Sequence, residues 1–96
     1  MRYNFEWDPE KAKSNSKKHG VRFEVGLSVF RDPQASSIFD TDHSGDEDRW
    51  ITLGMASTGA VLVVHHTFAK VDEETITVRI VSCRKATKRE QKQYAE

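Results

Sequence analysis

The stretch Thr75-Ile76-Thr77-Val78-Arg79-Ile80-Val81-Ser82-Cys83-Arg84-Lys85 decides the reading of this chain. Ile76, Val78, Ile80 and Val81 make a β-rich apolar run, yet two guanidinium groups, Arg79 and Arg84, are embedded in it. Arginine is permanently charged and seldom sits in such a run unless an anion or a carboxylate meets it. The anion of most interest is a phosphodiester. An odd spacing sets the two arginines on opposite faces of an ideal strand, so both can meet one anion only where the strand ends or bulges between them.

Working outward, Thr87 and Glu90 stand in the T-x-x-E relation of a capping box, which opens a short final helix carrying Tyr94. Upstream, residues 50–56 and 61–68 flank Ser57-Thr58-Gly59, a hairpin turn signal, and residues 36–40 form a short strand before them. Val61-Leu62-Val63-Val64 is apolar on both alternating faces, as a central strand covered on each side would be. It continues into His65-His66, whose side chains must point to opposite faces.

At the other end, Tyr3, Phe5 and Trp7 alternate with Arg2, Asn4 and Glu6, the period of a half-buried strand. Asp8-Pro9 reads as N-cap and N1 of a nearly all-polar helix closed by Gly20, with Ala12, Asn15, Ser16 and His19 inward. Phe23, Leu27 and Phe30, widened by Val25 and Val29, predict a second helix that stops at Asp32-Pro33. Short connections between successive strands predict antiparallel pairing. The expected fold is α+β: a single small domain over 1–96, with an antiparallel sheet of four to five strands, two N-terminal helices and one C-terminal helix.

Ninety-six residues suffice for one small core and no second domain. The lone Cys83 cannot make an internal disulfide, and no apolar leader or membrane-spanning run is present, so the expected location is a reducing cytoplasm. Fifteen acids balance fifteen Lys and Arg, but the charges are sorted along the chain. Lys11, Lys13, Lys17, Lys18 and Arg22 form one basic segment; Arg84, Lys85, Lys88, Arg89 and Lys92 form another; Asp40, Asp42, Asp46, Glu47 and Asp48 form an acidic one. A positive groove results if the basic segments converge in space, and ordinary solvated faces if they do not.

Several strings together resemble the BrnT family of bacterial toxins: Phe5-Glu6-Trp7-Asp8; Asn15-x-x-Lys18-His19-Gly20-Val21-x-Phe23-Glu24; Val29-Phe30-x-Asp32-Pro33; Asp42-His43-Ser44; Glu47-x-Arg49-Trp50-Ile51; Gly54; His66-Thr67; and Arg79-Ile80-Val81-Ser82-x-Arg84-x-Ala86-Thr87-x-x-Glu90-x-x-x-Tyr94. Each motif is short, but their order and spacing span nearly the whole chain. The resemblance implies a RelE-like fold and the toxin of a type II toxin–antitoxin pair. Such a toxin is an endoribonuclease that halts translation until a cognate antitoxin, here BrnA-like, binds it in a hetero-oligomer. Departures are small: Gly26 and Cys83 stand where the family commonly has alanine.

Metal-free RNA cleavage proceeds by attack of the ribose 2′-hydroxyl on the adjacent phosphorus. It needs a base for that hydroxyl, cations for the phosphorane and an acid for the 5′-oxygen. Arg79 and Arg84 are the expected clamp, since the arginine fork donates to two phosphate oxygens at once, with Lys85, Lys18, His19 and Arg49 as auxiliary RNA contacts. For proton transfer the candidates are His43, His66, Tyr94, His19 and Glu47. Each has a bland alternative: His43 as a loop residue, His66 as a hydrogen-bonded core residue, His19 as a helix C-cap, Tyr94 as an anchor, and Glu47 as a partner of Arg49. No glycine-rich phosphate loop, C-x-x-C pair or H-E-x-x-H pattern is present, so no cofactor or metal is expected. The competing readings are a non-catalytic nucleic-acid-binding regulator and a metal site of His43, His65 or His66 with loop carboxylates.

Overall fold

Strand by strand, the alternations in the sequence become one mixed sheet. In the computed structural model, which describes residues 2–96, the order is β1 (Arg2–Glu6), α1 (Pro9–His19), α2 (Phe23–Gly26), a 3-10 turn (Leu27–Arg31), β2 (Ser36–Phe39), β3 (Arg49–Met55), β4 (Val61–Thr67), β5 (Ala69–Lys70), β6 (Thr75–Lys85) and α3 (Lys88–Ala95). The strands lie in the order β1-β6-β4-β3-β2, and the two-residue β5 prolongs β4 along the outer part of β6.

The hairpin-linked strands are antiparallel, as short connections require. β1 corrects the all-antiparallel expectation, because it pairs with β6 in parallel from Arg2↔Thr75 to Glu6↔Arg79. No turn joins these two strands, so the short-connection rule has no hold on them.

Register divides the sheet into two faces. Phe5, Thr52, Leu62, Val64, His66, Val78, Ile80 and Cys83 point to the face covered by α1, α2 and the 3-10 turn, where Phe23 and Val29 complete the core. The opposite face carries Arg49, Ile51, Leu53, Val63, His65, Arg79, Ser82 and Arg84, with α3 over one part of it and the loop after β2 beside another. That second face is the open one.

α1 holds the sheet through a side chain. β1 leaves β6 at Arg79, and beyond it Asn15 supplies the missing strand partner: its Nδ2 donates to the Cys83 carbonyl at 2.8 Å, and its Oδ1 accepts from the Cys83 N–H at 3.0 Å. The same amide donates to the Val21 carbonyl at 3.0 Å. This pairing lets a polar helix dock on a sheet edge without an apolar stripe. Gly20 ends the helix in the left-handed region at φ 69°, donating to the Ser16 carbonyl.

The second predicted helix exists only as one α-turn that tightens into 3-10 geometry after Gly26, and the Ser28 hydroxyl bonds back to the Val25 carbonyl at 2.6 Å. Gly26 itself has a packing reason. A Cβ there would stand 2.8 Å from Cys83 Sγ, so the thiol fills what a methyl would occupy. α3 opens on the predicted capping box, with Glu90 N–H donating to Thr87 Oγ1 at 3.1 Å and Thr87 N–H to Glu90 Oε1 at 2.8 Å. No helix among the described residues is long and apolar enough to cross a membrane.

Candidate active site

The odd spacing of Arg79 and Arg84 is resolved by a bulge. β4 residue His65 pairs with Ser82 and His66 with Ile80, leaving Val81 as the extra residue on β6. The inserted residue reverses the alternation, so Arg79, Ser82 and Arg84 all project from the open face. Beside the bulge is a cavity of about 230 Å³ lined by Asp40, His43, Arg49, His65, Val81 and Ser82. A second hollow on the α1 side, lined by Lys11, Asn15, Lys18 and His19, shares Val81 and Ser82 with it. Lys11 and Lys18 of the N-terminal basic segment therefore border the bulge, and of the C-terminal segment Arg84 lies on the same strand beyond it.

Every guanidinium here is already in contact with a carboxylate. Arg79 pairs with Glu47, which also lies 3.5 Å from Arg49. Arg84 forms a bidentate pair with Glu90, at 2.7 and 2.9 Å, and donates to the Lys85 carbonyl at 3.3 Å. The Arg84 hydrogen bond holds the Glu90 carboxyl down at about 2. Three bonds leave Arg84 two of its five N–H donors, and Arg79 keeps most of its own. Arg49 lines the cavity, and its Nε is buried with no hydrogen-bond partner among the described residues.

The carboxylate of Asp40 is buried at the end of β2 and organises the following loop. Its Oδ1 accepts from the Asp42 and His43 backbone N–H groups at 3.2 and 3.3 Å, and its Oδ2 meets His43 Nδ1 at 2.9 Å and His65 Nδ1 at 3.9 Å. Burial would raise this carboxyl, but the hydrogen bond and charge of His43 and the two N–H donors outweigh it, so it titrates below the usual range. His65 is held below the ordinary imidazole value, first by burial and then by the charge of Arg84, against a weaker pull from Asp40.

Three of the sequence candidates are placed elsewhere. His66 is completely buried in the helix-covered core, packed edge-on against Phe30 and Phe68. Its Nδ1 donates to the Thr67 carbonyl at 3.2 Å, since a carbonyl can only accept, and its Nε2 therefore accepts from the Thr52 hydroxyl at 2.5 Å. Burial pushes its pKa down to about 4, so it stays neutral and cannot reach a substrate. Tyr94 donates to Asp32 Oδ2 at 2.6 Å, an oxygen that also accepts from the Met55 N–H, and so ties α3 to the far end of β3. Lys85 lines a separate hollow with Arg22 and Val25, away from Arg84.

Of the remaining candidates, His43 and Arg49 line the cavity beside the bulge, Arg79 and Arg84 lie on the same face of β6 to either side of it, and Lys18 and His19 line the hollow on the α1 side. Glu47 is present as the partner of two arginines. Asp40 and His65 also line the cavity, although the sequence offers His65 only for a metal site and Asp40 only as part of the acidic segment. Adjacency alone could not say which of His65 and His66 faces outward, and Asp40 looks in sequence like one acid among five. Among the described residues, no group of three or more His, Cys, Asp or Glu is arranged to hold an ion.

A family model described as "Ribonuclease toxin, BrnT, of type II toxin-antitoxin system" matches residues 7–90. Among solved structures, the 1.1 Å crystal structure of the Brucella abortus ribonuclease toxin, BrnT, is similar in fold, with a TM-score of 0.54 and 24% identity over 92% of this chain and 100% of that one. No curated protein matches the chain.

Proposed function

Since this chain belongs to the BrnT family of ribonuclease toxins of type II toxin–antitoxin systems, we propose that the open sheet face at the Val81 bulge is where it cuts RNA. The family supplies the reaction partners in outline, an RNA target and an antitoxin. The finer reading is ours: metal-independent attack of a 2′-hydroxyl on the neighbouring phosphorus, and a BrnA-like antitoxin as the protein that restrains it.

The observation that carries this reading is the bulge itself, which turns Arg79 and Arg84 to one side beside a cavity rimmed by Arg49 and His43. A scissile phosphate in that cavity meets Arg49, with Arg79 and Arg84 on the same face to either side along β6, and the phosphorane gains more from these cations than the ground-state diester because its charge is greater. The carboxylates of Glu47 and Glu90 hold the arginine forks in place before RNA arrives, which lowers the ordering cost of binding. His43, 68% exposed and hydrogen-bonded to Asp40, is free to hand a proton to the leaving 5′-oxygen. Lys18 and His19 extend the positive rim along the RNA backbone.

Cleavage of RNA by purified protein in EDTA tests the reading, with the Arg79→Ala, Arg84→Ala double variant beside it. The expected loss in the variant is about 10²-fold or more, with a cooperative thermal melt showing that it folds. Full activity in that variant overturns the site. Salt-sensitive RNA binding by the wild type with no scission in any buffer returns the chain to the regulator reading.

A further inference from the structure

We propose that His65 is the general base of the cleavage and that Asp40 is the positioning residue that holds it opposite the acid, His43. The inference rests on the reading of the bulge as the cleavage site and deepens it by naming the missing half of the proton transfer.

The geometry comes first. His65 is the β4 partner of Ser82, so its imidazole stands on the open face directly across from the bulge and between the two arginines along β6. It lines the same cavity as His43 and Arg49. Both histidines direct Nδ1 toward one oxygen of Asp40, at 2.9 Å for His43 and 3.9 Å for His65, which leaves the two Nε2 atoms as the groups available to a substrate. Asp40 is itself fixed by two backbone N–H donors and by the Asp40 N–H to Arg49 carbonyl bond at 2.8 Å. Beyond accepting those two backbone bonds through Oδ1, Asp40 sets its Oδ2 against two imidazoles in a cavity that Arg49 also lines.

The environments of the two histidines divide the labour. His65 is half-buried, with 28% of its side chain exposed, and faces Arg84 from β6, Asp40 and His43 from the loop after β2, and Glu90 from α3. Burial and Arg84 dominate, so His65 is neutral at physiological pH and able to accept a proton. His43 stands largely in solvent with its Nδ1 on the Asp40 carboxylate, so its Nε2 is open to the leaving group. In the step itself, Nε2 of His65 takes the 2′-hydroxyl proton as the O2′–P bond forms. The P–O5′ bond breaks and His43 gives its proton to the departing 5′-oxygen. A 2′,3′-cyclic phosphate and a 5′-hydroxyl result, and solvent returns both histidines to their starting states.

The test uses a synthetic RNA oligonucleotide that the wild-type protein cuts, in EDTA under single-turnover conditions. His65→Gln is expected to cut about 10²-fold more slowly, with its affinity for the RNA within about two-fold of wild type. Asp40→Asn is expected to slow cleavage about ten-fold and to move the acidic limb of the pH–rate profile to lower pH, because removing the carboxylate removes the one nearby charge besides Glu90 that favours protonated His65. A substrate whose bridging 5′-oxygen is replaced by sulfur needs no acid, so it should restore His43→Gln and leave His65→Gln slow. An NMR titration of the His65 ring in the wild-type protein should report a midpoint below 6.5 without reference to activity. Unchanged cleavage by His65→Gln while Arg79→Ala, Arg84→Ala is inactive overturns this assignment alone, as does rescue of His65→Gln by the sulfur substrate. Full activity in the arginine variant removes the site beneath it.

Discussion

His65 and His66 are neighbours in sequence and opposites in circumstance. His66 is sealed among Phe30, Phe68 and Thr52 on the helix-covered face, with both ring nitrogens satisfied and its charge suppressed. His65 looks out from the other face beside Asp40 and Arg84, with Nε2 free of any protein hydrogen bond among the described residues. One residue of phase separates a core group from a reactive one, so the side of the sheet, and not the residue type, decides what an imidazole does. The same division holds across the sheet: apolar packing lies beneath the helices, and charge with half-covered apolar groups lies on the open side.

The sharpest way to break this comparison is to remove each histidine in turn. His66→Ala should cost about 3–5 kcal/mol in denaturant unfolding, since it empties a core position and removes the acceptor of the Thr52 hydroxyl. A cost below about 1 kcal/mol would mean that His66 is not the packed group described. His65→Gln, by contrast, should stay within about 0.5 kcal/mol of wild type in the same measurement.

Acid should distinguish the two faces next. His66 titrates near 4 when folded and near 6.5 when unfolded, so below 6.5 the unfolded chain binds a proton that the folded one refuses. Its contribution is intact above about pH 6.5 and is lost as pH falls toward about 4, up to roughly 3 kcal/mol in all. Unfolding measured across that window should show the slope in wild type and a flatter one in His66→Gln. An equal slope in both would assign it to other groups.

A smaller effect tests the packing under β6. Gly26→Ala alone drives a methyl against Cys83 Sγ and should destabilise by about 1–3 kcal/mol, although alanine is the better helix former. Adding Cys83→Ala should recover most of that loss, giving a coupling of about 1 kcal/mol in a double-mutant cycle. Additive effects would show that the two positions do not share the space assigned to them.

Much of the fold was legible in the sequence because its signals were local. Asp8-Pro9, Gly20, the Thr87 to Glu90 capping box and the turn at Ser57-Thr58-Gly59 each specify a backbone conformation from a few adjacent residues, and each stands where expected. The second helix was read too long because apolar spacing cannot distinguish an α-helix from a tighter turn of the same few residues. The parallel pairing of β1 was not legible, since it depends on which strand edge remains open once the hairpins have formed. Asn15 was placed on the correct face of α1, but nothing nearby in sequence announces that its amide will stand in for a strand.

What the sequence determined by itself was the inventory: two arginines in an apolar strand, a histidine pair at the end of a central one, a basic helix, an acidic loop, and the family those strings spell out together. What only the tertiary structure decided was phase and company. A single extra residue at Val81 brings Arg79 and Arg84 to one side, and the register of β4 turns His65 outward and buries His66. The fold of the loop after β2 sets Asp40 between two imidazoles. The reason is that strand alternation has a period of two, so one inserted residue exchanges inside for outside, and that insertion is chosen by long-range pairing energies that no short stretch of sequence contains.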